Sequence, residues 1–341
     1  MTTLITGGCG FLGSNIAARL IVAGERPSLL DNLSRHGSQS NLTWLRSLGP
    51  CDLVEADVRD EEAVRIAVKT LRPEVVFHLA GQVAMTTSLE RPRFDFEVNV
   101  LGTLNVLEAV RAHAPGAAVV YSSSNKVYGD LGYARVVEEA RRYSLPDFPD
   151  GVDEAAPLSF HTPYGCSKGA ADQYVLDYAR MYGLNTIVFR HSTIYGGRQF
   201  ATYDQGWVGW FCLRALEASN GNAEPFDISG DGKQVRDLLH VDDAVDCYLA
   251  AARHVGAARG EAFNIGGGMK NSCSLLELFD VLERSLSVRL SYRSLSWRVG
   301  DQRVFVADCR KASEAFQWSP AVTKERGIEL MLQWTHQLPT T

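Results

Sequence analysis

"TLITGGCGFLG", from Thr3 to Gly13, sets glycines at positions 7, 10 and 13 between an apolar run and an amphipathic stretch. A glycine triplet alone decides little. Here it follows a strand-like segment, "TLITG" (3–7), and opens a helix-like one, "FLGSNIAARLIVAG" (11–24), and that context gives it a mechanism. Without a Cβ the backbone can approach a pyrophosphate. The helix start then offers unpaired N–H groups and a partial positive charge. Gly7, Gly10 and Gly13, with Phe11 and Leu12 between them, are candidate dinucleotide ligands.

Outward from this turn the chain alternates between two patterns. Apolar runs at 27–31, 51–57, 74–81, 117–124 and 185–190 read as strands, and stretches at 41–49, 60–71, 94–113 and 164–182 as helices. Continuous Val/Ile/Leu strands separated by helices indicate a parallel sheet covered on both faces. The expected fold is α/β, a Rossmann-type doubly wound parallel sheet. Later helices at 207–219, 241–254, 274–286 and 323–336, with short strands near 225–229, 262–266 and 288–292, suggest a smaller mixed α/β substrate-binding domain. The expected division is interleaved: residues 1–190 with 230–262 for the cofactor, 191–229 with 263–341 for the substrate. Segment 130–162, rich in Pro, Asp and aromatics, reads as an ordered loop reaching over a cleft.

Composition narrows the classes. A chain of 341 residues is long enough for about two domains. With 45% hydrophobic and 22% charged residues it has a globular composition. A net charge of −6 argues against nucleic acid or an anionic membrane as partner. No apolar run reaches the ~18 residues of a membrane span. The seven cysteines are scattered, without a CxxC pair or a His/Cys cluster, so free thiols and no metal site are expected. The N-terminus enters a strand without a basic and apolar leader. A cytoplasmic location is the expectation.

Asp31 ends the second strand. A carboxylate there can accept both ribose hydroxyls of an adenosine and repels a 2′-phosphate, which favours NAD over NADP. Asn32, Ser34 and Arg35 follow along the same adenosine. Asp57, with Val58 behind it, ends the third strand, either at the adenine edge or as a helix cap. Leu79, Ala80, Gly81 and Gln82 leave the fourth strand against the cofactor, and Ser122 lies at the end of the fifth. Asn99, early in the helix 94–113, is a further cofactor candidate or a local polar brace.

"TPYGCSKGAADQY" (162–174) places Tyr164 four residues before Lys168, on one helical face. A free phenol with pKa ~10 is a poor base at neutral pH. A neighbouring ammonium and an oxidised nicotinamide would favour the phenolate, and a pKa near ~7 would make it a general base and acid. Ser124, in "YSSSNKVYG" (121–129), can hydrogen-bond the same substrate oxygen if the fifth strand and this helix are neighbours.

These motifs are joined by "HLAGQVAMTTS" (78–88), "NKVYGD" (125–130), "GGRQFATYDQGWVGWF" (196–211), "GKQVRD" (232–237) and "DQRVFVAD" (301–308). Together they make nearly the whole chain resemble the extended short-chain dehydrogenase/reductases that act on nucleotide sugars. Within that family it most resembles the group that inverts C2 of CDP-linked deoxysugars, of the CDP-paratose to CDP-tyvelose type. The resemblance implies Tyr164 as base, Lys168 as its tuner and ribose ligand, and Ser124 as hydroxyl partner. It implies that NAD takes a hydride from C2 and returns it to the other face of a 2-keto sugar.

The resemblance also implies that Arg236 and Arg298 grip the diphosphate and that Asp301 meets the nucleotide ribose. Thr86, Arg198, Gln199 and Gln205 would meet the sugar or phosphates. A homodimer or homotetramer built on the two long helices, and a place in lipopolysaccharide O-antigen biosynthesis, are further implications. A UDP-glucose 4-epimerase is the alternative. A 4,6-dehydratase is disfavoured, because Asn125 and Lys126 stand where that group carries Asp-Glu.

Overall fold

The computed structural model of the chain describes residues 1–222, 224–298 and 300–338. Seven strands form one sheet: β1 (Thr3–Thr6), β2 (Ser28–Asp31), β3 (Asp52–Glu55), β4 (Val75–His78), β5 (Ala118–Ser122), β6 (Asn185–His191) and β7 (Glu261–Ile265). They lie in the order β3-β2-β1-β4-β5-β6-β7, every pair parallel. β1, β2 and β4 are buried at every position, as strands covered on both faces must be.

One apolar layer packs Ile16, Leu20, Leu45, Val245 and Tyr248 on one face of the sheet. The other packs Val64, Val68, Val106, Val110 and Val175 on the opposite face. The strand order reverses between β1 and β4. Ligands of open α/β sheets bind outside the strand ends at such a reversal, and the glycine turn after β1 stands there.

A second, smaller layer hangs beyond β6. Val235–His240 pairs with Thr193–Tyr195, Ser272–Ser274 and Val304–Phe305, and Phe226–Ser229 pairs with Tyr292–Leu295. Helices Trp207–Ser219, Leu275–Leu286 and Lys324–His336 close over it around Val208, Phe211, Phe279 and Met331.

The structure moves the expected domain limits. β7 pairs with β6 along its whole length, from Glu261 opposite Ile187 to Ile265 opposite His191, so a limit after residue 262 would cut a sheet strand. Val235–His240, assigned from the sequence to the cofactor domain, builds the small sheet instead. Helix Val241–Arg253 returns to the large sheet, and so do Ala312, Phe316 and Trp318. Residues 339–341, at the end of the expected substrate domain, lie outside the described residues.

Two further differences are local. The predicted helix 94–113 starts at Pro92 and contains a wide π turn, Glu97–Leu101. The segment 130–162 carries a two-strand ribbon, Val137–Glu138 with Tyr143–Ser144, and Val152 bridges to Ala307, so it lies on the small layer.

Candidate active site

A cleft of about 560 Å³ runs along the carboxyl ends of the strands, with the glycine turn at its centre. A Cβ on Gly7 would stand 2.8 Å from the Ala80 nitrogen, and one on Gly13 would collide with the Gly7 carbonyl oxygen. The turn is therefore pressed between β4 and its own helix, and only hydrogen fits at these two positions. Gly10 precedes helix Phe11–Val22 with no side chain capping it. The first N–H groups of that helix are open to an anion in the cleft. These features fit a dinucleotide pyrophosphate.

Asp31 holds the adenosine end. Its Oδ2 accepts the Cys9 N–H at 2.9 Å and its Oδ1 the Leu33 N–H at 2.8 Å. Burial pushes this carboxyl up, and the N–H groups of Cys9, Leu33 and Gly10 pull it back. The carboxylate lines the cleft as an acceptor with negative charge, which suits a vicinal diol and not a phosphate. Asn32, Ser34 and Arg35 line the same end.

Asp57 also lines it, together with Val58. Its carboxylate is held by Arg59 at 2.9 Å and Asn32 at 2.8 Å, and Arg59 keeps it below the usual carboxylate range. The next helix is capped by Asp60, which accepts the Ala63 N–H, so Asp57 is not the cap.

Leu79, Ala80, Gly81, Gln82 and Ser122 bring the cleft to the reacting end, where Ser124, Tyr164 and Lys168 converge. Proline in the first turn of helix Thr162–Tyr182 starts that helix just ahead of the tyrosine. Burial dominates at the Tyr164 phenol and pushes it up to about 12, against the influence of the Ser124 hydroxyl. The lowering expected beside an oxidised nicotinamide needs that ring's charge. The Lys168 ammonium donates to the Ser122 carbonyl and lies 4.6 Å from the centre of the Tyr121 ring. Burial brings it down to about 8, against the opposing charges of Asp95 and Asp172. The protein alone thus keeps the tyrosine protonated.

Two predicted site residues are braces. Asn99 sits in the π turn and is fully buried. It accepts the Gln82 N–H at 3.0 Å and donates to the Gln82 carbonyl and the Ser167 hydroxyl, each at 3.0 Å. It ties the exit of β4 to the tyrosine helix and does not line the cleft. The extra residue of a π turn moves a side chain out of regular phase, and such turns mark functional regions. Thr86 donates to Asp204 at 2.9 Å and does not line the cleft.

Arg198, Gln199 and Gln205 close the cleft from the smaller layer. The Arg198 guanidinium lies between Trp44, at 4.0 Å, and Trp334, at 4.7 Å, so aromatic faces hold it. Phe200 packs edge-on against His36 and Trp334. Arg236, Arg298 and Asp301 lie apart from this cleft in a second polar cluster, with Arg236 on Asp301 at 2.8 Å. Trp207 donates to Thr193 at 3.3 Å and Trp210 packs on Tyr203 and Arg214, so both serve packing.

The sequence reading missed His191. It ends β6 in the cleft, with Nδ1 3.3 Å from the Ser122 hydroxyl and Nε2 2.7 Å from the Tyr248 hydroxyl. Burial, then the Lys168 charge, draw it down to about 3, so it is neutral. Its position at the carboxyl end of a parallel strand was the available signal. Beneath Ser124, Asp172 binds Arg190 through two 2.9 Å contacts and accepts the Ser123 hydroxyl at 2.8 Å. This buried network fixes the serine loop.

The sequence signature of the "NAD dependent epimerase/dehydratase family" matches residues 3–266. The chain belongs to that family. It is 54% identical to a CDP-paratose 2-epimerase of Salmonella typhi over 338 residues, covering 99% of this chain and 100% of the relative. The structure of a Thermotoga maritima UDP-glucose 4-epimerase with UDP-glucose matches with a TM-score of 0.83 and 30% identity, covering 99% of each chain. A Thermus thermophilus UDP-glucose 4-epimerase complexed with NAD matches with a TM-score of 0.79 and 28% identity, again over 99% of each chain. NAD is the cofactor of the family, and the glycine turn, the open helix start and the Asp31 carboxylate fit it. No helix among the described residues is long and apolar enough to cross a membrane.

Proposed function

We propose that the protein inverts C2 of a CDP-linked deoxysugar, of the CDP-paratose to CDP-tyvelose type, through a transient 2-keto sugar. The observation carrying this is the 54% identity to a CDP-paratose 2-epimerase across the full length of both chains.

When bound, NAD supplies a hydride acceptor that becomes the donor in the return step, and a cationic ring while oxidised. The protein's residues do the rest. Ser124 holds the C2 oxygen. Tyr164 takes the hydroxyl proton as C2 is oxidised and gives it back as C2 is reduced. Burial raises this phenol to about 12, so ionising it needs a positive charge beside the ring. Lys168 holds the nicotinamide ribose in this reading, and its bond to the Ser122 carbonyl keeps the strand end in place. His191 stays neutral and orients Ser122.

Elimination of water needs an additional carboxyl acid near the sugar. Positions 125 and 126, next to Ser124, are Asn and Lys. This supports epimerisation over dehydration. Inversion requires the 2-keto sugar to present its second face to the same ring, so it turns within the site.

Self-association belongs to the same reading. Phe96, Leu101, Tyr174, Met181 and Tyr182 are exposed along helices 92–113 and 162–182, and a two-fold axis would let these faces cover one another. Sedimentation of the wild type and of a Met181→Glu, Tyr174→Glu variant tests this. A monomeric wild type would end it.

The function is tested by incubating the protein with CDP-paratose, CDP-tyvelose and UDP-glucose and following proton NMR. Inversion at C2 changes the H1–H2 coupling of the CDP sugars, and deuterium at C2 is retained through the cycle. Unchanged CDP sugars beside interconversion of UDP-glucose and UDP-galactose would overturn the proposal.

A further inference from the structure

Three cations and one carboxylate meet where the chain leaving Ser124 touches Gly300 and Asp301. The Lys126 Nζ lies 3.5 Å from Asp301 Oδ1 and donates to the Gly300 carbonyl at 3.3 Å. Arg236 donates to the same Asp301 oxygen at 2.8 Å. Arg298 places its Nε on the Ser229 hydroxyl at 3.1 Å, and its charge acts on both Lys126 and Asp301. The side chains of Lys126, Arg236 and Asp301 are only 16%, 12% and 19% exposed, so this is not a solvated surface pair.

The charge count decides what the cluster is for. Asp301 balances one cation and the Asp237 charge acts on Arg236 as well, so among these described groups the three cations outnumber the carboxylates by one. Uncompensated charge in a mostly buried setting is costly. Burial and the Arg236 charge draw the Lys126 ammonium down to about 8, as crowding by like charge must. A diphosphate entering between these groups would remove the imbalance. Arg236 and Arg298 were expected to serve it; Lys126 was not.

Position gives Lys126 its own task. It lies two residues beyond Ser124, and its backbone N–H donates to the Ser124 hydroxyl at 3.2 Å. It is therefore the cation tied most directly to the group that meets the C2 oxygen. C2 adjoins C1, and the oxygen on C1 carries the sugar's phosphate. We propose that Lys126 is a substrate-binding residue that holds the phosphate esterified to the sugar, while Arg236 and Arg298 hold the nucleotide side. The inference rests on the nucleotide-sugar reading above. An ammonium acts on phosphate as a compact point charge. A phosphate so fixed is a pivot about which the ring can turn without leaving.

The test compares CDP with CMP, which lacks the outer phosphate, by calorimetry on the NAD-loaded protein. Lys126→Met is expected to weaken CDP roughly 10- to 100-fold, the scale of a lost charge-assisted hydrogen bond, and to leave CMP within about twofold. Lys126→Arg is expected to restore most of the CDP affinity. Equal weakening of CDP and CMP, or unchanged CDP binding, overturns the proposal.

A second measurement needs no folded Lys126→Met. In the wild type the preference for CDP over CMP should fall as pH rises through about 8, where Lys126 loses its proton facing Arg236, Arg298 and Asp301. In Lys126→Arg it should stay level. A wild-type preference that does not change with pH overturns the proposal. If the wild type binds UDP and UMP but neither cytidine nucleotide, the CDP reading fails. The diphosphate-to-monophosphate comparison then still decides the role of Lys126.

Discussion

The Lys168 ammonium donates to the main-chain carbonyl of Ser122, the last residue of β5. The lysine is thus a strap between the tyrosine helix and a strand end that also touches the cofactor cleft. Its role and that of Tyr164 should separate on mutation. Tyr164→Phe removes the proton carrier alone, so turnover should fall ~10²- to 10⁴-fold with bound NAD retained. Lys168→Met removes the strap as well, so both turnover and NAD content should fall. NAD released by denaturing the purified protein, beside kcat, checks this. Full NAD retention in Lys168→Met would contradict it.

Gly13→Ala should empty the cofactor site. The added methyl would collide with the Gly7 carbonyl oxygen and would also meet Gly8 Cα at 2.8 Å. Backbone cannot yield as a flexible side chain does, so a loss of ~1–3 kcal/mol is expected, together with loss of the pyrophosphate-binding turn. Thermal unfolding and NAD content measure the two effects.

Asp31→Asn keeps the size of the side chain but replaces one acceptor oxygen with a donor. Cys9 and Leu33 both present N–H groups to this side chain, so one of them would face an NH₂ group. NAD affinity should fall about 10- to 100-fold, by loss of charge-assisted hydrogen bonds to the ribose. Discrimination against NADP should narrow, because the repelling charge is gone. Reconstitution of NAD-free protein with each dinucleotide reads both changes.

Acid sensitivity should trace in part to two buried histidines. His78 accepts at Nδ1 from Thr6 (2.7 Å) and donates at Nε2 to Thr103 (3.0 Å), and it is drawn down to about 3 by burial. His191 is drawn down to the same value. Both groups have a folded pKa below the unfolded value of 6.5, so below pH 6.5 the unfolded chain binds more protons. Stability therefore falls as pH drops from about 6.5 towards 3, by ~1.4 kcal/mol per pH unit for each histidine. Asp237, raised to about 6, contributes in the opposite direction between about 6 and its unfolded value of 3.8. Urea unfolding at pH 6.5, 5.5 and 4.5 should give a shallower slope, by ~1.4 kcal/mol per unit, in His78→Gln than in the wild type. Equal slopes would show that His78 does not carry this part of the pH dependence.

What could be read from the sequence was local. The glycine turn, the acid at the end of β2 and the Tyr164–Lys168 pair each declare themselves within a few residues, because a strand followed by a helix fixes where their groups point. Cross-chain relations were not readable in the same way. Asn99 stayed open between cofactor and brace because a π turn has no sequence signature to show that the side chain faces Gln82 and Ser167. Thr86 lies one helical position from Thr87, which does line the cleft, and its bond to Asp204 depends on a segment more than a hundred residues away. The limit at residue 262 failed because β7 looks like any short apolar strand until its partner is known. Nor could spacing show how strongly burial opposes a charge on the Tyr164 phenol: it sets only which face two side chains share.

The wide turn at Glu97–Leu101 lengthens its helix by a residue without completing another revolution. Everything downstream is thereby advanced by roughly 100°. Thr103 depends on that phase, since its hydroxyl bonds the Asn99 carbonyl at 2.6 Å while meeting His78 at 3.0 Å. Deleting one residue here would leave a more regular helix and a less functional protein. Asn99 would rotate off Gln82, Thr103 would rotate off His78, and the end of β4 would lose its mooring.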